Sequence, residues 1–589
     1  MLKTFKFFKW YHWIFILVIV GFVYLQVQLD LKLPEYMGKI ITLIGNGIAS
    51  GTSQTPEILK QGGTMLLISL GSITATIIVS YIAARLGTKL ANTLRSKVFQ
   101  QVQGFSSEEI NKFTTPSLIT RTTNDVQQIQ MTTIIMLRML ITAPIMAISG
   151  INKITNINPT MSMVVIAGVV AIITLITIIF ILVSPKYGKI QKLTDDLNQV
   201  TRETLTGMRV VRAHHAEDIQ QTKFEGVNTK LTKTNIFVNT AMSFVGPGMN
   251  IIMYSMNLGL TLVGALLIRD SLLGSTPYEG LSLQIQFTSY SMIILMSFMM
   301  LIMLFIFLPR AWVSARRVMA VINTKPKIDD RFADNVRPND NVEIEFKNVC
   351  FRYPNAEECV LKDLNFVVKK GETLAFIGST GSGKSTIIQL ILRFYEASEG
   401  QILINKKDIK TYKLSDLYKM MGYVPQQGIL FSGDILSNAR LGDENATEEE
   451  VMEALETAQI KDFIDESEDG IHHSIDQAGT NVSGGQKQRL AIARALVKKP
   501  VIYLFDDSFS ALDYRTDKSL RNALKKVTAD SLRIIIGQRI GTIMDAEQII
   551  VLDKGIIVGR GTHKELLETC TPYQEIAFAQ LSKEELTHA

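Results

Sequence analysis

The sequence predicts a membrane half of six α-helices followed by a soluble α/β half built around a phosphate-binding loop. The 589 residues are 47% hydrophobic and only 20% charged, and the charges are unevenly placed. Residues 154–185, 234–268 and 280–309 contain no Asp, Glu, Lys or Arg, whereas charges are frequent after about residue 330. Because ~20 apolar residues span a bilayer core, these stretches predict membrane helices.

Six apolar segments fit membrane helices, at about 12–45, 62–84, 129–150, 160–185, 236–268 and 281–309. Lys and Arg are concentrated in 85–121 and 186–233, whereas the predicted outer loops near 50–61, 151–159 and 269–279 hold few. The positive-inside rule places such basic loops in the cytosol. We therefore expect a multi-pass protein of the cytoplasmic membrane, with both termini and the soluble half in the cytosol.

Other composition signals are weaker. Trp10, Trp13 and Trp312 fall where an inner aromatic belt would lie, although they would also suit an ordinary core. The cysteines have no metal-ligand spacing, and we assign no role to Cys350, Cys359 or Cys570. The net charge of +6 is explained by the cytosolic loops, so it does not indicate nucleic-acid binding.

The basic stretches 85–128 and 186–235 predict helical hairpins reaching ~30 Å into the cytosol. They either couple the membrane half to the soluble half or are simple surface linkers. The sequence Gly246-Pro247-Gly248 should kink the fifth helix. We place the transmembrane domain at 1–322, a linker at 323–341 and the nucleotide-binding domain at 342–589, where short strands alternate with helices.

A phosphate loop lies between an apolar strand and a helical pattern. The matching residues are Gly378, Ser379, Thr380, Gly381, Ser382, Gly383, Lys384, Ser385 and Thr386. Glycines allow backbone N–H groups to surround phosphate oxygens, and the helix N-terminus adds favourable partial charge. We expect Lys384 to hold the β- and γ-phosphates of ATP and Ser385 to bind Mg²⁺.

Two further segments complete this pattern. A second apolar strand, 501–506, ends in Asp506, which is a predicted Mg²⁺ ligand. A short run lies between the phosphate loop and this strand, ~100 residues after the loop. It is formed by Ser483, Gly484, Gly485 and Gln486. In isolation this run could belong to any loop. Its position after the phosphate loop and just before the acidic strand makes it a highly specific signal.

With these motifs the chain resembles an ATP-binding cassette (ABC) exporter half-transporter over nearly its whole length. The resemblance implies a dimer in which two cassettes close head-to-tail around two ATP molecules. It assigns Tyr353 to adenine stacking, Gln426 to Mg²⁺ and water, and Ser483 to Gln486 to the ATP of the opposite subunit. It also places Asp513 in the loop that links the two sites. Residues 207–213 resemble the loop that docks on the partner's cassette.

Two residues depart from the family pattern. The position after Asp506 is usually Glu but here is Asp507, and the switch position is usually His but here is Gln538. Asp is one methylene shorter, and a misplacement of ~1.5 Å can cost ~100-fold in rate. Gln lacks an imidazole that could carry a proton. Variants tolerated in an active site are the alternative interpretation, but two coincident departures at one γ-phosphate favour a slow ATP site.

A slow site combined with an intact Ser483–Gln486 run favours a heterodimer. The chain then resembles the degenerate-site subunit of bacterial heterodimeric multidrug exporters, with a different half-transporter that supplies a catalytic glutamate. Lipid or peptide export with the same engine remains an alternative, and a regulatory ATP-binding membrane subunit is a less favoured one.

Methionines on two predicted helices suit a drug cavity. Met292, Met296, Met299 and Met303 share a face of the sixth helix, and Met249, Met253 and Met256 share a face of the fifth. Flexible thioethers accept varied ligands, although contact with lipid or neighbouring helices explains them at least as well. Asp30 and Arg138 are ionisable near membrane depth, either as functional groups or near helix ends in water.

Overall fold

A computed structural model describes residues 2–328, 342–354 and 356–581, and it divides into two compact units. The first contains Met1–Gln101 and Pro116–Thr324, and the second contains Val102–Thr115 and Lys325–Ala589. Residues 329–341 of the predicted linker and 582–589 of the predicted nucleotide-binding domain lie outside the described residues. The first unit is helical, and the second contains all described strands.

Six long apolar helical segments could cross a membrane by length and composition, as predicted. Two π-helical turns, Arg121–Asp125 and Met136–Leu140, divide the third segment into shorter pieces. The α-helices up to the end of the sixth segment are α1 (Trp10–Ser50), α2 (Thr55–Gln103), α3 (Ser107–Phe113), α4 (Thr115–Thr120), α5 (Val126–Ile135), α6 (Ile141–Thr155), α7 (Pro159–Thr206), α8 (Met208–Ala213), α9 (Glu217–Ser243), α10 (Val245–Arg269) and α11 (Pro277–Asn323).

The helices extend well beyond the apolar stretches. Helix α2 continues to Gln103 and α7 to Thr206, so both run on into the basic segments. The fifth segment is interrupted at Phe244, between α9 and α10. Pro247 lacks the N–H that would bond to the carbonyl of Ser243, which explains a break at this point. The predicted distortion of the fifth helix is therefore confirmed.

An apolar stripe on α1 forms part of the membrane unit's core. Ile19, Val23, Val27 and Leu31 recur every four residues and are at most 1% exposed. Side chains four residues apart lie on one helix face. The same cluster includes residues of α7, α10 and α11, so α1 is held by side-chain packing on its inner face.

The two methionine faces have different environments. Met249 and Met256 are buried in the same core cluster, and Met253 packs against it. Met256 also fills the space beside Gly168, where its Sδ would lie 2.8 Å from an added Cβ. These side chains are occupied by helix packing within the chain, so their expected role as cavity lining is not supported. Met296 and Met303, by contrast, are about half exposed.

The ionisable groups of the membrane helices also have different surroundings. Ser72 donates a hydrogen bond to Asp30 Oδ1 at 2.5 Å, which joins α1 to α2. Arg138 is exposed and lies in a π-helical turn. Asp125 is buried and accepts a hydrogen bond from Ser314 at 2.8 Å.

The second unit contains a mainly parallel sheet of six strands and an antiparallel sheet of four, with a short two-stranded pair. The parallel strands confirm the predicted α/β character. The strands are β1 (Glu343–Phe351), β2 (Leu361–Lys369), β3 (Thr373–Gly378), β4 (Glu399–Ile404), β5 (Lys407–Asp408), β6 (Met421–Val424), β7 (Gly433–Asp434), β8 (Ser474–Ile475), β9 (Ile502–Asp506), β10 (Leu532–Ile536), β11 (Gln548–Asp553) and β12 (Ile556–Gly561).

The six-stranded sheet has the order β12-β11-β3-β10-β9-β6, in which only β12 is antiparallel to its neighbour. The four-stranded sheet has the order β2-β1-β4-β5. The helices of this part are α12 (Lys384–Ile391), α13 (Leu414–Met420), α14 (Ile435–Arg440), α15 (Glu448–Thr457), α16 (Lys461–Asp465), α17 (Gly484–Val497), α18 (Tyr514–Val527), α19 (Ile540–Ile543), α20 (His563–Thr569) and α21 (Thr571–Gln580).

The short helix α3 belongs to the second unit although it lies in the loop between the second and third membrane segments. Glu109 is buried, and its Oε2 accepts hydrogen bonds from Ser106 N and Oγ at 2.8 and 2.6 Å. Its Oε1 accepts from Lys327 N at 3.1 Å. One carboxylate therefore caps α3 and ties it to the chain that leads out of the sixth segment.

We predict that Glu109→Ala loosens α3, because it leaves three donors without their charged acceptor. Hydrogen bonds to charged groups contribute about 1.5–3 kcal/mol each, so the local opening energy should fall by at least about 2 kcal/mol. This corresponds to amide hydrogen exchange over Ser107–Phe113 that is roughly thirty-fold faster. Glu108→Ala is the matched control, since among the described residues the Glu108 carboxylate bonds only to the exposed Lys327 Nζ. Equal exchange in the two variants would contradict the assignment.

Candidate nucleotide-binding site

The phosphate loop is shaped by glycines that no other residue could replace without strain. Strand β3 is almost fully buried and ends at Gly378, and α12 begins at Lys384. A Cβ on Gly378 would lie 2.0 Å from Leu552 O, and one on Gly383, whose φ is +95°, would lie 2.6 Å from Leu361 Cδ2. The loop therefore requires glycine at these positions. A backbone of this kind lets successive N–H groups surround phosphate.

Lys384 folds over this loop. Its Nζ donates to Gly378 O at 2.9 Å and to Ser379 O at 2.8 Å, with Ser382 Oγ at 3.4 Å. Burial lowers the pKa of Lys384, and the carboxylates of Asp507 and Asp506 act in the opposite direction. A cation held this close to the loop backbone is suited to anionic phosphates.

Asp506, at the end of β9, lies beside the start of α12. Ser385 Oγ donates a hydrogen bond to Asp506 Oδ1 at 2.7 Å. Burial raises the pKa of Asp506, and the neighbouring Asp507 raises it further, while Ser385 and Lys384 act in the opposite direction. A hydroxyl and a carboxylate form the oxygen donor set that Mg²⁺ prefers, so these two residues fit a magnesium ion.

Asp507 is held by two glutamine side chains. Gln426 Nε2 donates to Asp507 Oδ2 at 3.1 Å, and Gln538 Nε2 donates to the same oxygen at 2.7 Å. Asp507 is buried and has a φ of +50°, which is uncommon for a residue with a Cβ. Its N–H is fixed to Ile536 O at 3.0 Å. We call the arrangement of Gln426, Asp507 and Gln538 the amide clamp.

The amide clamp engages one of the two carboxylate oxygens of Asp507. Burial raises its pKa, and the hydrogen bond from Gln426 opposes that shift by favouring the charged form. Both amide donors occupy one carboxylate oxygen, so that oxygen is engaged by the protein. A carboxylate that accepts protons from water needs a free lone pair within hydrogen-bond reach.

The segment after β10 is fixed by residues that sequence reasoning did not identify. Gln580 Nε2 donates to Gln538 O at 2.7 Å, and Gln580 Oε1 accepts from Ile540 N at 2.8 Å. Arg539 donates to Ser510 O at 3.2 Å and to Leu512 O at 3.4 Å. Gln580 lies at the end of α21, 42 residues from Gln538 in the chain, and no motif marks it.

Tyr353 belongs to an aromatic cluster next to the loop. Its ring packs edge-on to Phe351 and Tyr395, with centroids 4.9 and 5.3 Å away. Its hydroxyl lies 3.0 Å from Thr386 Oγ1 and 3.2 Å from Gln389 Oε1, both on α12. Tyr395 in turn accepts a hydrogen bond from Asn111 of α3 at 2.9 Å. The expected adenine-stacking residue is thus linked to the phosphate-loop helix.

The run from Ser483 to Gln486 caps helix α17. Ser483 Oγ accepts from Gln486 N at 3.3 Å, and Gln486 Oε1 accepts from Ser483 N at 2.7 Å. Ser483 and Gly484 are exposed, and Gly485 is half-buried. Asp513 is also exposed and caps α18 through Thr516 N at 3.0 Å.

The structure brings only part of the predicted set together. Lys384, Ser385, Asp506, Asp507, Gln426 and Gln538 form one connected cluster. Across the described residues 342–354 and 356–581, no hydrogen bond or ion pair joins residues 483–486 to the phosphate loop. The start of α17 is therefore exposed at Ser483 and Gly484 and is separate from the phosphate-loop cluster in the described residues.

Comparison with known proteins gives consistent results. Residues 361–510 match the family described as "ABC transporter", and residues 13–298 match "ABC transporter transmembrane region". An uncharacterized ABC transporter ATP-binding protein of Mycobacterium bovis is 36% identical over 544 residues, covering 91% of each chain. A Bacillus subtilis protein of the same description is 33% identical and covers 95% of each chain.

Two further similarities concern export. A Rickettsia bellii protein, named as a candidate export ATP-binding/permease protein, is 30% identical and covers 87% of this chain and 88% of its own. The structure of a bacterial Atm1-family ABC exporter with ATP bound has a TM-score of 0.76. It covers 95% of this chain and 97% of its own at 24% identity, which shows a shared fold.

We predict that Asp506→Asn stabilises the nucleotide-free protein at neutral pH and removes the added stability from Mg²⁺-ATP. When the pKa of a carboxyl group is raised in the folded protein, ionisation of that group lowers the folding stability. This loss is fully present once the pH exceeds the folded pKa. Asn still accepts from Ser385 but carries no charge. We expect Tm to rise by roughly 2–4 °C per kcal/mol recovered.

Thermal unfolding across pH tests the sign of this effect. As the pH falls toward the unfolded carboxyl pKa of about 3.9, Asp506 takes up a proton in the folded protein first, so the advantage of Asn should shrink. Asp553→Asn is a control at an acid whose side chain, among the described residues, accepts a hydrogen bond from Ser379 Oγ alone, at 3.4 Å. A Tm gain independent of pH, or Mg²⁺-ATP stabilisation that survives in Asp506→Asn, would contradict the assignment.

Proposed function

The chain belongs to the ABC transporter family, and from this premise we propose that it is one half of a heterodimeric multidrug exporter. It has an ABC exporter fold, with six apolar helical segments that could span a membrane and an ATP-binding domain. In the proposal the chain lies in the cytoplasmic membrane with its ATP-binding domain in the cytosol, and it exports hydrophobic small molecules with a different half-transporter.

The amide clamp is the observation that carries the slow-site part of the proposal. Asp507 takes the place of the usual glutamate, and its side chain is shorter by one methylene. One of its oxygens accepts hydrogen bonds from Gln426 and Gln538. An amide cannot carry a proton as an imidazole can. Loss of correct geometry at a general base costs roughly 100-fold or more, so we propose that hydrolysis at this chain's own site is slow.

ATP binding uses residues that are free of these departures. Lys384 and the N–H groups of the phosphate loop would hold the phosphates, and Tyr353 would contact the adenine. Ser385, Asp506 and Gln426 would hold Mg²⁺, which supplies neutralisation of phosphate charge when bound. The chain therefore has what is needed to bind ATP, and its weakness lies in activation of water.

The exposed capping residues of α17 support a second subunit. A helix N-terminus with exposed N–H groups favours phosphate, and here it meets no phosphate loop within the described chain. We propose that Ser483 to Gln486 complete an ATP site on the partner. Since two slow sites would make a poor pump, the partner is proposed to carry the catalytic glutamate. Val210 of α8 is 60% exposed, which leaves this short helix available for docking on the partner's cassette.

The proposed substrate class rests on the exposed methionine face of α11. Met292, Met296, Met299 and Met303 are 40–54% exposed on α11, and such a face accepts varied apolar ligands. Lipid export uses the same engine and remains the second candidate. The buried methionines of α10 take no part in this proposal.

We predict that Ser483→Ala lowers ATP hydrolysis of the heterodimer about 100-fold, whereas Asp507→Asn lowers it less than about two-fold. The first change removes a group proposed to act on the partner's ATP, and the second alters the slow site. Rates are measured on complexes purified from native membranes with the partner attached. Loss of turnover in Asp507→Asn that equals the effect of removing the partner's glutamate would contradict the slow-site assignment.

Ser483 also caps a helix, so the experiment needs a control for lost stability. Thr447→Ala removes an equivalent cap from α15, where Thr447 bonds to Glu450 in the same reciprocal way. Both changes should cost about 1 kcal/mol of folding stability. Only Ser483→Ala should also lower turnover to the extent predicted above. A homodimer of this chain that transports at full rate would overturn the heterodimer.

We predict that Met296→Ala and Met303→Ala change the drug profile several-fold, measured as efflux of several hydrophobic dyes in everted vesicles. Flexible thioether contacts differ in value from one ligand to another, so the shifts should be unequal. Met163→Ala on α7, where the side chain is 70% exposed, is the control. Unchanged profiles for every dye would remove the α11 face from the proposed cavity.

A further inference from the structure

The N-terminal segment packs onto the cytosolic part of the membrane unit. Thr4, Phe8 and His12, four residues apart, are 0, 8 and 7% exposed. Lys97 Nζ on α2 lies 5.4 Å from the ring centroid of Phe7. The helical turn Leu2–Phe7 also contacts α11. The segment is therefore fixed in place by packing on α2 and α11.

Its cations remain exposed beside those of α2. Lys6 and Lys9 are exposed on the N-terminal segment, and Arg85 and Lys89 are exposed on α2. Lys9 and Lys89 are both close enough to the buried His12 ring to interact with it electrostatically. We call these four residues the inner basic site.

The segments that carry this site lack carboxylates. Residues 2–29 and 58–107 contain no Asp or Glu, and neither do residues 280–328, which include α11 from Gly280 onward. Within the described part of the chain, no ion pair involves any of the four cations. A cluster of like charges without counter-ions gains from an external anion.

The position of the site selects the kind of anion. The predicted spans begin at about residue 12 on α1 and end at about residue 84 on α2. Lys9 and Lys89 lie three and five residues beyond those limits, which is within about 8 Å at 1.5 Å per residue. Trp10 and Trp13 beside them are 76 and 54% exposed, as suits aromatic rings at the headgroup level.

We propose that the inner basic site binds the headgroup of an anionic phospholipid from the cytosolic leaflet. Lys9 and Lys89, from two helices, contact the phosphate, and Lys6 and Arg85 extend the positive surface on either side. The exposed tryptophans contact the glycerol and upper acyl region. Bound lipid neutralises the repulsion between the N-terminal segment and α2, which stabilises their packing. This binding does not depend on the proposed export function.

The test compares Tm of the full chain, with its partner where one co-purifies, in phosphatidylcholine and in phosphatidylglycerol nanodiscs. Wild-type protein should gain stability in phosphatidylglycerol. Each lysine near an anionic surface strengthens binding roughly five-fold, so Lys9→Gln/Lys89→Gln should retain phosphatidylglycerol about thirty-fold less tightly and lose most of the gain. Lipid retention is read by native mass spectrometry of the purified protein.

The matched control is Lys32→Gln/Lys60→Gln, which makes the same charge change at exposed positions of α1 and α2 that lie 23 and 29 residues along the chain from Lys9 and Lys89. It should keep the full gain. Equal losses in the two variants, or no gain in wild type, would overturn the proposal. Inorganic phosphate that produces the same gain in phosphatidylcholine nanodiscs would show a soluble-anion site instead, and the lipid assignment would fail.

Discussion

The candidate nucleotide site depends on one constraint, which is that neighbouring parallel strands end at the same edge of a sheet. Strands β3, β10, β9 and β6 are adjacent and parallel. Their ends carry the phosphate loop, the segment with Gln538, the two aspartates and Gln426. Residues from four separate parts of the sequence therefore meet through backbone hydrogen bonding alone. Each side chain then needs only a short reach to its neighbour.

This convergence explains why the two departures from the family pattern lie in contact with each other. The Asp507 carboxylate is short and starts from a backbone with positive φ, so its reach is restricted. Gln538 reaches the same oxygen as Gln426 because β10 and β6 lie on opposite sides of β9. An imidazole at position 538 or a longer acid at 507 would alter this geometry. The amide clamp is a property of the pair, and neither residue produces it by itself.

The membrane unit obeys a different constraint, the separation of charge from hydrocarbon. Basic residues next to the predicted spans are the basis of the orientation that the sequence predicts, and the segments that carry Lys9 and Lys89 contain no carboxylates. In contrast, the helix spacing of the methionines predicted a shared face correctly but not the neighbour that covers it. On α10 the neighbour is Gly168 of α7, whose missing side chain admits Met256. Packing partners of this kind depend on helix rotation, which local periodicity does not encode.

The sequence by itself determined the six apolar segments, the α/β character of the second half, the break near Pro247 and the phosphate-loop residues. These follow from local rules: apolar length, strand and helix periodicity, and the backbone demands of Gly and Pro. Only the tertiary structure decided that Asp507 is held by Gln426 and Gln538, that Gln580 fixes the backbone on either side of Arg539, and that Glu109 ties α3 to Lys327. Those contacts join residues 31 to 218 positions apart. Their partners are selected by strand order and helix docking, which are set by the burial of the whole core.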